Sequence, residues 1–211
     1  MRVIAGEFRG ATLLAPPGRD TRPITDQVKE SLFNILGHRF QTLGRLPAVN
    51  VLDLFAGSGA IGIECLSRGA TSCTFVEVGR AALRALRANL DKLRLGPPAA
   101  NVLSANAWTM RPAAPGPAGF GLIFADPPYA DVEPRRVCDL FERLAPQLAA
   151  DGVLVFRHGS ATDFGGLAHR ELRQADQRVF GKMRVELFVR CPTGRAEAAS
   201  NCGEPPPHIA D

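Results

Sequence analysis

Residues 50–69 read NVLDLFAGSGAIGIECLSRG, and the order of their parts decides the fold. Asn50 to Phe55 is a dense apolar run of strand length. Gly57, Gly59 and Gly62 then form a GxGxxG pattern, and a helix-like segment follows. Glycine lets a backbone turn tightly from strand to helix and approach a ligand closely. A tight turn alone would also account for the glycines. A second feature favours a ligand. The next strand-like run, SCTFVEV (72–78), carries Glu77, which lies 77 − 53 = 24 residues beyond Asp53. A carboxylate at about that separation reaches ribose hydroxyls in a nucleotide-binding α/β sheet.

The pattern repeats downstream. GRAALRALRANLDKL (79–93) has helical spacing, with Leu83, Leu86, Leu90 and Leu93 on one stripe. NVLSA (101–105) and GLIFA (121–125) are further strands, PRRVCDLFERLAPQL (134–148) a helix and GVLVFRH (152–158) a fifth strand. Strands alternating with helices predict a parallel sheet covered on both faces. HRELRQADQRVFGKMRVELFVR (169–190) has no room for a crossover helix, so it predicts an antiparallel pair turning at Phe180-Gly181-Lys182. The expected fold is therefore a doubly wound, Rossmann-like α/β sheet of seven strands ending in an antiparallel hairpin.

Upstream, RVIAGEFRGATLLAP (2–16) predicts a small hairpin. Thr25 can cap a helix starting at Asp26, with Val28, Leu32, Ile35 and Leu36 on one face and an end near Gly37. This divides the chain into an N-terminal extension (1–45), a main domain (46–190) and a tail (191–211) rich in Pro, Gly and Ala that is expected to be disordered. Residues 1–45 hold seven Lys/Arg and four Asp/Glu, so they carry +3 of the formal net charge of +4. The five cysteines are scattered without a CxxC pair or clustered histidines, which predicts reduced thiols and no metal site. With no apolar leader after MRVIAGEFRG and no apolar run of about 18 residues, the expectation is a cytoplasmic protein without a membrane span.

The segment FADPPYADV (124–132) follows the fourth strand. Prolines cannot donate to a ladder, so the strand stops and a stiff loop presents Asp126, backbone carbonyls and the Tyr129 ring. Asp126-Pro127-Pro128-Tyr129 after the fourth strand resembles the signature of amino-group methyltransferases. The resemblance implies hydrogen bonds from an exocyclic base amine to the Asp126 carboxylate and the Pro127 carbonyl that would aim its nitrogen, with Pro128 stiffening the turn and Tyr129 stacking on the base. Asp53, placed just before the glycine loop, suits an ammonium group better than a pyrophosphate. Together these favour S-adenosylmethionine over a dinucleotide, bound by Asp53, Phe55, Gly57, Ser58, Gly59 and Glu77. Trp108, the single tryptophan, is assigned to packing.

At this point the chain resembles a family, the bacterial 16S ribosomal RNA guanine-N2 methyltransferases of the RsmD type. The likeness covers residues 1 to about 190. It runs through RVIAGEFRG, RPITDQVKESLFNIL (22–36), VLDLFAGSGAIGIECLSRGA, FVE and FADPPY. The resemblance implies a class I S-adenosylmethionine-dependent methyltransferase. Its activity would be methyl transfer to the N2 amine of one guanine in 16S RNA within an assembling 30S subunit, with no metal and a monomer as the expected state. Such enzymes often hold the adenine amine with an acid after the third strand. Here Asn106 stands there, and its amide oxygen can still accept that bond. Arg2, Arg9, Arg19, Arg22 and Lys29 are the candidate contacts to RNA phosphates. Residues 1–20 are expected to be removable without unfolding the main domain. Two alternatives stay open: an adenine-N6 methyltransferase acting on RNA or DNA, and a catalytically inactive RNA-binding homologue.

Overall fold

The computed structural model describes residues 1–16, 25–162, 164 and 170–191. Seven strands form one sheet: β1 (Asn50–Leu54), β2 (Ser72–Glu77), β3 (Ala100–Ser104), β4 (Phe120–Ala125), β5 (Leu148–Gly159), β6 (Leu172–Phe180) and β7 (Met183–Arg190). Their order is β3-β2-β1-β4-β5-β7-β6. The β1–β2, β1–β4, β2–β3 and β4–β5 pairs are parallel, and β7 runs antiparallel to both β5 and β6. The strand order reverses between β1 and β4, the crevice where open α/β sheets bind ligands.

Helices α1 (Asp26–Arg39), α2 (Ala60–Ser67), α3 (Arg80–Lys92) and α4 (Pro134–Leu144) cover the sheet. Successive strand residues point to opposite faces, and two apolar clusters result. Val51, Phe75, Phe124 and Val155 pack with α1, α2 and α3 on one face. Leu52, Val76, Ile123 and Phe156 pack with α4 on the other. Two glycines are dictated by this packing. A Cβ on Gly59, whose φ is +80°, would meet Leu86 Cδ1 at 2.4 Å, and one on Gly62 would meet the Phe75 ring at 2.3 Å. Helix α1 runs past its expected end at Gly37 to Arg39. Glycine suits the passage, because a Cβ there would sit 2.7 Å from the Thr42 carbonyl.

The N-terminal arm forms the expected small antiparallel pairing, with an Arg2–Thr12 bridge and Val3 N–H donating to the Ala11 carbonyl. Its packing is tighter than a removable arm would have. Val3 and Leu13 are buried in the same cluster as the sheet residues. Glu64 of α2, fully buried, accepts from the backbone amides of Ile4 and Ala5 at 2.9 and 3.0 Å. It also pairs with Lys29 Nζ at 3.2 Å and Arg68 Nε at 2.9 Å. Asn89 of α3 exchanges hydrogen bonds with Leu14 and donates to the Ser58 carbonyl. The arm thus shares the core of the sheet and reaches the glycine loop.

Candidate active site

The loop after β1 and the ends of β2 and β4 meet at one edge of the sheet. Phe55 leaves β1 with φ +59°, a conformation that a bulky side chain adopts only when its surroundings enforce it. Its ring packs edge-on to Trp108, 5.0 Å between centroids. Arg136 covers a face of the same indole at 4.5 Å, in keeping with the packing role expected of Trp108. The Ser58 side chain is buried under the loop.

Glu77 closes the loop from β2. One carboxylate oxygen accepts from Gly57 N–H at 2.8 Å, and the other accepts from Val78 and Gly79 N–H at 2.8 and 2.6 Å. Val78, immediately beyond, exposes 64% of its surface. This exposed apolar side chain directly follows a carboxylate fixed by three backbone amides, a feature the sequence reading missed. Asn106 lies across the same edge, exposed, with its amide oxygen accepting from Trp108 N–H at 2.9 Å. One lone pair is therefore engaged in the turn and one is left for a ligand.

Asp53 faces inward rather than out. It is 3% exposed and accepts from Gly62 N–H at 3.0 Å. Burial pushes its pKa up to about 7; the Gly62 bond opposes the rise, the nearby Asp126 and Glu77 charges add to it, and Arg157 opposes it. A buried carboxylate among acids is a ready partner for a cationic ligand group.

Asp126, Pro127 and Pro128 follow β4, and Tyr129 opens a single 3-10 turn, Tyr129–Asp131, closed by Asp131 N–H on the Pro128 carbonyl. Tyr129 is 37% exposed, and its ring lies over Gly159 at the end of β5, where a Cβ would touch it at 3.5 Å. The Asp126 carboxylate is gripped from β5 by Arg157: Nε donates to Oδ1 at 2.6 Å and Nη2 donates to Oδ2. Burial works against the Arg157 charge, yet Asp126 outweighs it and raises the guanidinium pKa above its ordinary value. Sequence reading missed this partner. Its one signal was a charged residue directly after the apolar run VLVF.

The five cations proposed for RNA divide. Arg2 and Arg9 are exposed on the arm, Arg2 paired with Asp26 at 2.8 Å. Arg19 and Arg22 lie outside the described residues, as does the tail beyond Cys191. Lys29 is corrected: it is 1% exposed, donates to the Arg2 carbonyl at 2.5 Å and neutralises buried Glu64, so it has no face toward a phosphate. Among the described residues no group of three His, Cys, Asp or Glu is arranged to hold a metal ion, and no helix is long and apolar enough to cross a membrane. A cleft of about 850 Å³ opens elsewhere, between α1 and β6, lined by Gln27, Asn34, His38, Arg39 and Arg178 among others. It contains none of the strand-end groups, so its size does not make it the reaction site.

The family described as Conserved hypothetical protein 95 matches residues 1–189. The chain is 38% identical over 201 residues to Ribosomal RNA small subunit methyltransferase D of Escherichia coli strain K12, covering 94% of each chain. It is 40% identical over 158 residues to YlbH of Bacillus subtilis strain 168, covering 75% of this chain and 82% of that one. Among solved structures, yhhF from Escherichia coli superposes with a TM-score of 0.71 at 30% identity, over 90% of this chain and 97% of that one. TrmN from Thermus thermophilus shares the fold, with a TM-score of 0.63 at 19% identity over 78% of this chain and 48% of that one. With the site geometry and these likenesses together, the chain belongs to the Conserved hypothetical protein 95 family, that of the RsmD-type methyltransferases.

Proposed function

We propose that this protein transfers a methyl group from S-adenosylmethionine to the exocyclic N2 amine of a guanine in 16S ribosomal RNA. It acts on the assembling small subunit as a cytoplasmic monomer that needs no metal. The observation that carries the reading is the Asp126 carboxylate, fixed at the end of β4 beside the glycine loop of β1, with Asp53 within electrostatic reach of both Asp126 and Glu77. The 38% identity to an enzyme named Ribosomal RNA small subunit methyltransferase D supports ribosomal RNA as the substrate class.

The residues present fit the cofactor. Glu77 would take the ribose hydroxyls, exposed Val78 and the free lone pair of Asn106 the adenine, and Asp53 the ammonium group. Phe55, Gly57, Ser58 and Gly59 form the floor. When bound, the cofactor would supply an activated methyl: the amine lone pair would form the N–C bond, the C–S pair would stay with sulfur, and nitrogen would shed a proton to solvent. The chain's part is positioning. An exocyclic amine is a weak nucleophile because its lone pair is delocalised into the ring. Accepting its N–H bonds at Asp126 and the Pro127 carbonyl directs that lone pair and supports the positive charge that grows on nitrogen. Tyr129 stacks on the base, which must be unpaired or turned out of its stack. Arg2 and Arg9, with Arg19 and Arg22 of the same segment, contact phosphates.

The test is Asp126→Ala in two assays. Methyl transfer to small subunits should vanish while cofactor affinity stays within about threefold. Wild-type turnover in this variant would end the reading. Failure of the wild-type protein to bind S-adenosylmethionine would instead favour the inactive RNA-binding homologue.

A further inference from the structure

Arg157 has no part in the transfer as described above, yet it makes the closest contact to the group that does. Its side chain is 12% exposed and that of Asp126 25%. The guanidinium meets both carboxylate oxygens, Nε at 2.6 Å on Oδ1 and Nη2 on Oδ2. A two-pronged pair of this kind fixes the plane of a carboxylate as well as its position. Each carboxylate oxygen has two lone-pair directions. The fork takes one from each, and the remaining pair is available to an incoming amine.

Strand register brings the two together. Ala125 of β4 is opposite Phe156 of β5, so Asp126 and Arg157 are the next residues along two adjacent parallel strands. The arginine itself is held. Its strand neighbour His158 is fully buried, its ring 4.8 Å from those of Phe156 and Phe164, with Nε2 3.6 Å from Glu186 Oε2 on β7. Arg157 Nη1 rests 4.0 Å from Met183 Sδ. The guanidinium is thus mounted on the core of the sheet, while Asp126 sits on a loop.

Granting the amine-methylating function proposed above, we infer that Arg157 is a positioning residue: it locks the Asp126 carboxylate in the one plane that accepts the substrate amine. The fork also supplies a cation at an edge where Asp53, Glu77 and Asp126 would otherwise leave three acids together. A lysine would keep that charge but lose the fork.

Three single variants at Arg157 and one double variant test this, each measured for thermal stability, cofactor affinity, kcat and KM. Arg157→Met should lower kcat by about a hundredfold or more, with cofactor affinity and RNA KM within about threefold. Arg157→Lys should fold normally and recover little of the loss, because charge without geometry is not enough. In Arg157→Ala, millimolar guanidinium should restore part of kcat, and methylammonium should not. Combining Arg157→Met with Asp126→Asn should cost no more than Asp126→Asn alone. A crystal structure of Arg157→Met should show the Asp126 carboxylate turned from its wild-type plane, a readout that does not depend on activity. Wild-type kcat in Arg157→Lys, additive losses in the double variant, or an unmoved carboxylate would each overturn the role. A wild-type protein without methyl transfer would overturn the proposed function instead, and the carboxylate plane would still decide the fate of Arg157.

Discussion

Glu64→Ala is expected to be among the most damaging single substitutions outside the reaction site. Glu64 is fully buried and serves four donors: the amides of Ile4 and Ala5, Lys29 Nζ and Arg68 Nε. After truncation, Lys29 keeps the Arg2 carbonyl and Arg68 the Gly44 carbonyl as polar partners. Both cations remain buried, their side chains 2% and 5% exposed. Removing one partner of a buried ion pair costs about 3–5 kcal/mol. Each orphaned amide adds up to about 1–3 kcal/mol unless the arm swings out to water. Because the arm can relax, we take about 4 kcal/mol, a large share of the roughly 5–15 kcal/mol that holds a domain folded. For a chain of this size that lowers Tm by about 8–16 °C, at about 2–4 °C per kcal/mol. Urea unfolding followed by circular dichroism measures the loss directly. The apolar triple variant Lys29→Met, Glu64→Leu, Arg68→Met should recover most of it, since no buried charge is then left alone. A loss below about 1 kcal/mol for Glu64→Ala would refute the reasoning that the arm and α1 are fastened to α2 through this carboxylate.

Other outcomes follow from the site. Asp53 has a folded pKa raised from 3.8 to about 7, so the folded state holds an extra proton between those values. Its contribution to stability is therefore present below about pH 3.8 and is lost as pH rises through about 7; pH-dependent urea melts of wild type and Asp53→Asn should differ by that slope. If ionised Asp53 meets the cofactor ammonium, calorimetric affinity for S-adenosylmethionine should rise from pH 5.5 to 7 in wild type and stay flat in Asp53→Asn. Glu77→Gln should weaken cofactor binding by about 1–3 kcal/mol, the cost of an unmatched buried polar group, and unchanged affinity would remove Glu77 from the ribose role. Arg9→Ala should reduce the salt slope of RNA binding by about 0.7–0.9 unit, and an unchanged slope would take Arg9 off the phosphate path.

How far the sequence carried these conclusions differs from residue to residue. The β1–loop–α2 unit was legible because glycine spacing, the apolar run and Glu77 all point to one arrangement, and the structure shows the same order. The final hairpin was legible because Arg170 to Arg190 leaves no length for a crossover. The Asp126–Arg157 pair was not, because it depends on the register between β4 and β5, and apolar runs do not encode register across 31 residues. Lys29 was misread for a related reason. Its charge placed it with the solvent-facing cations, and only the packing of α1 against α2 reveals that Glu64 waits for it inside. The place of Asp53 before the glycine loop was legible, but its burial was not, because strand alternation turns it toward α2 and the Gly62 amide.

The most direct measurement is incubation of the protein with labelled S-adenosylmethionine and small ribosomal subunits lacking the modification. Digestion to nucleosides and mapping of the labelled position follow. The account predicts label in N2-methylguanosine at a single 16S position, absent with Asp126→Ala. Label in N6-methyladenosine, or none in ribosomal RNA, would contradict it.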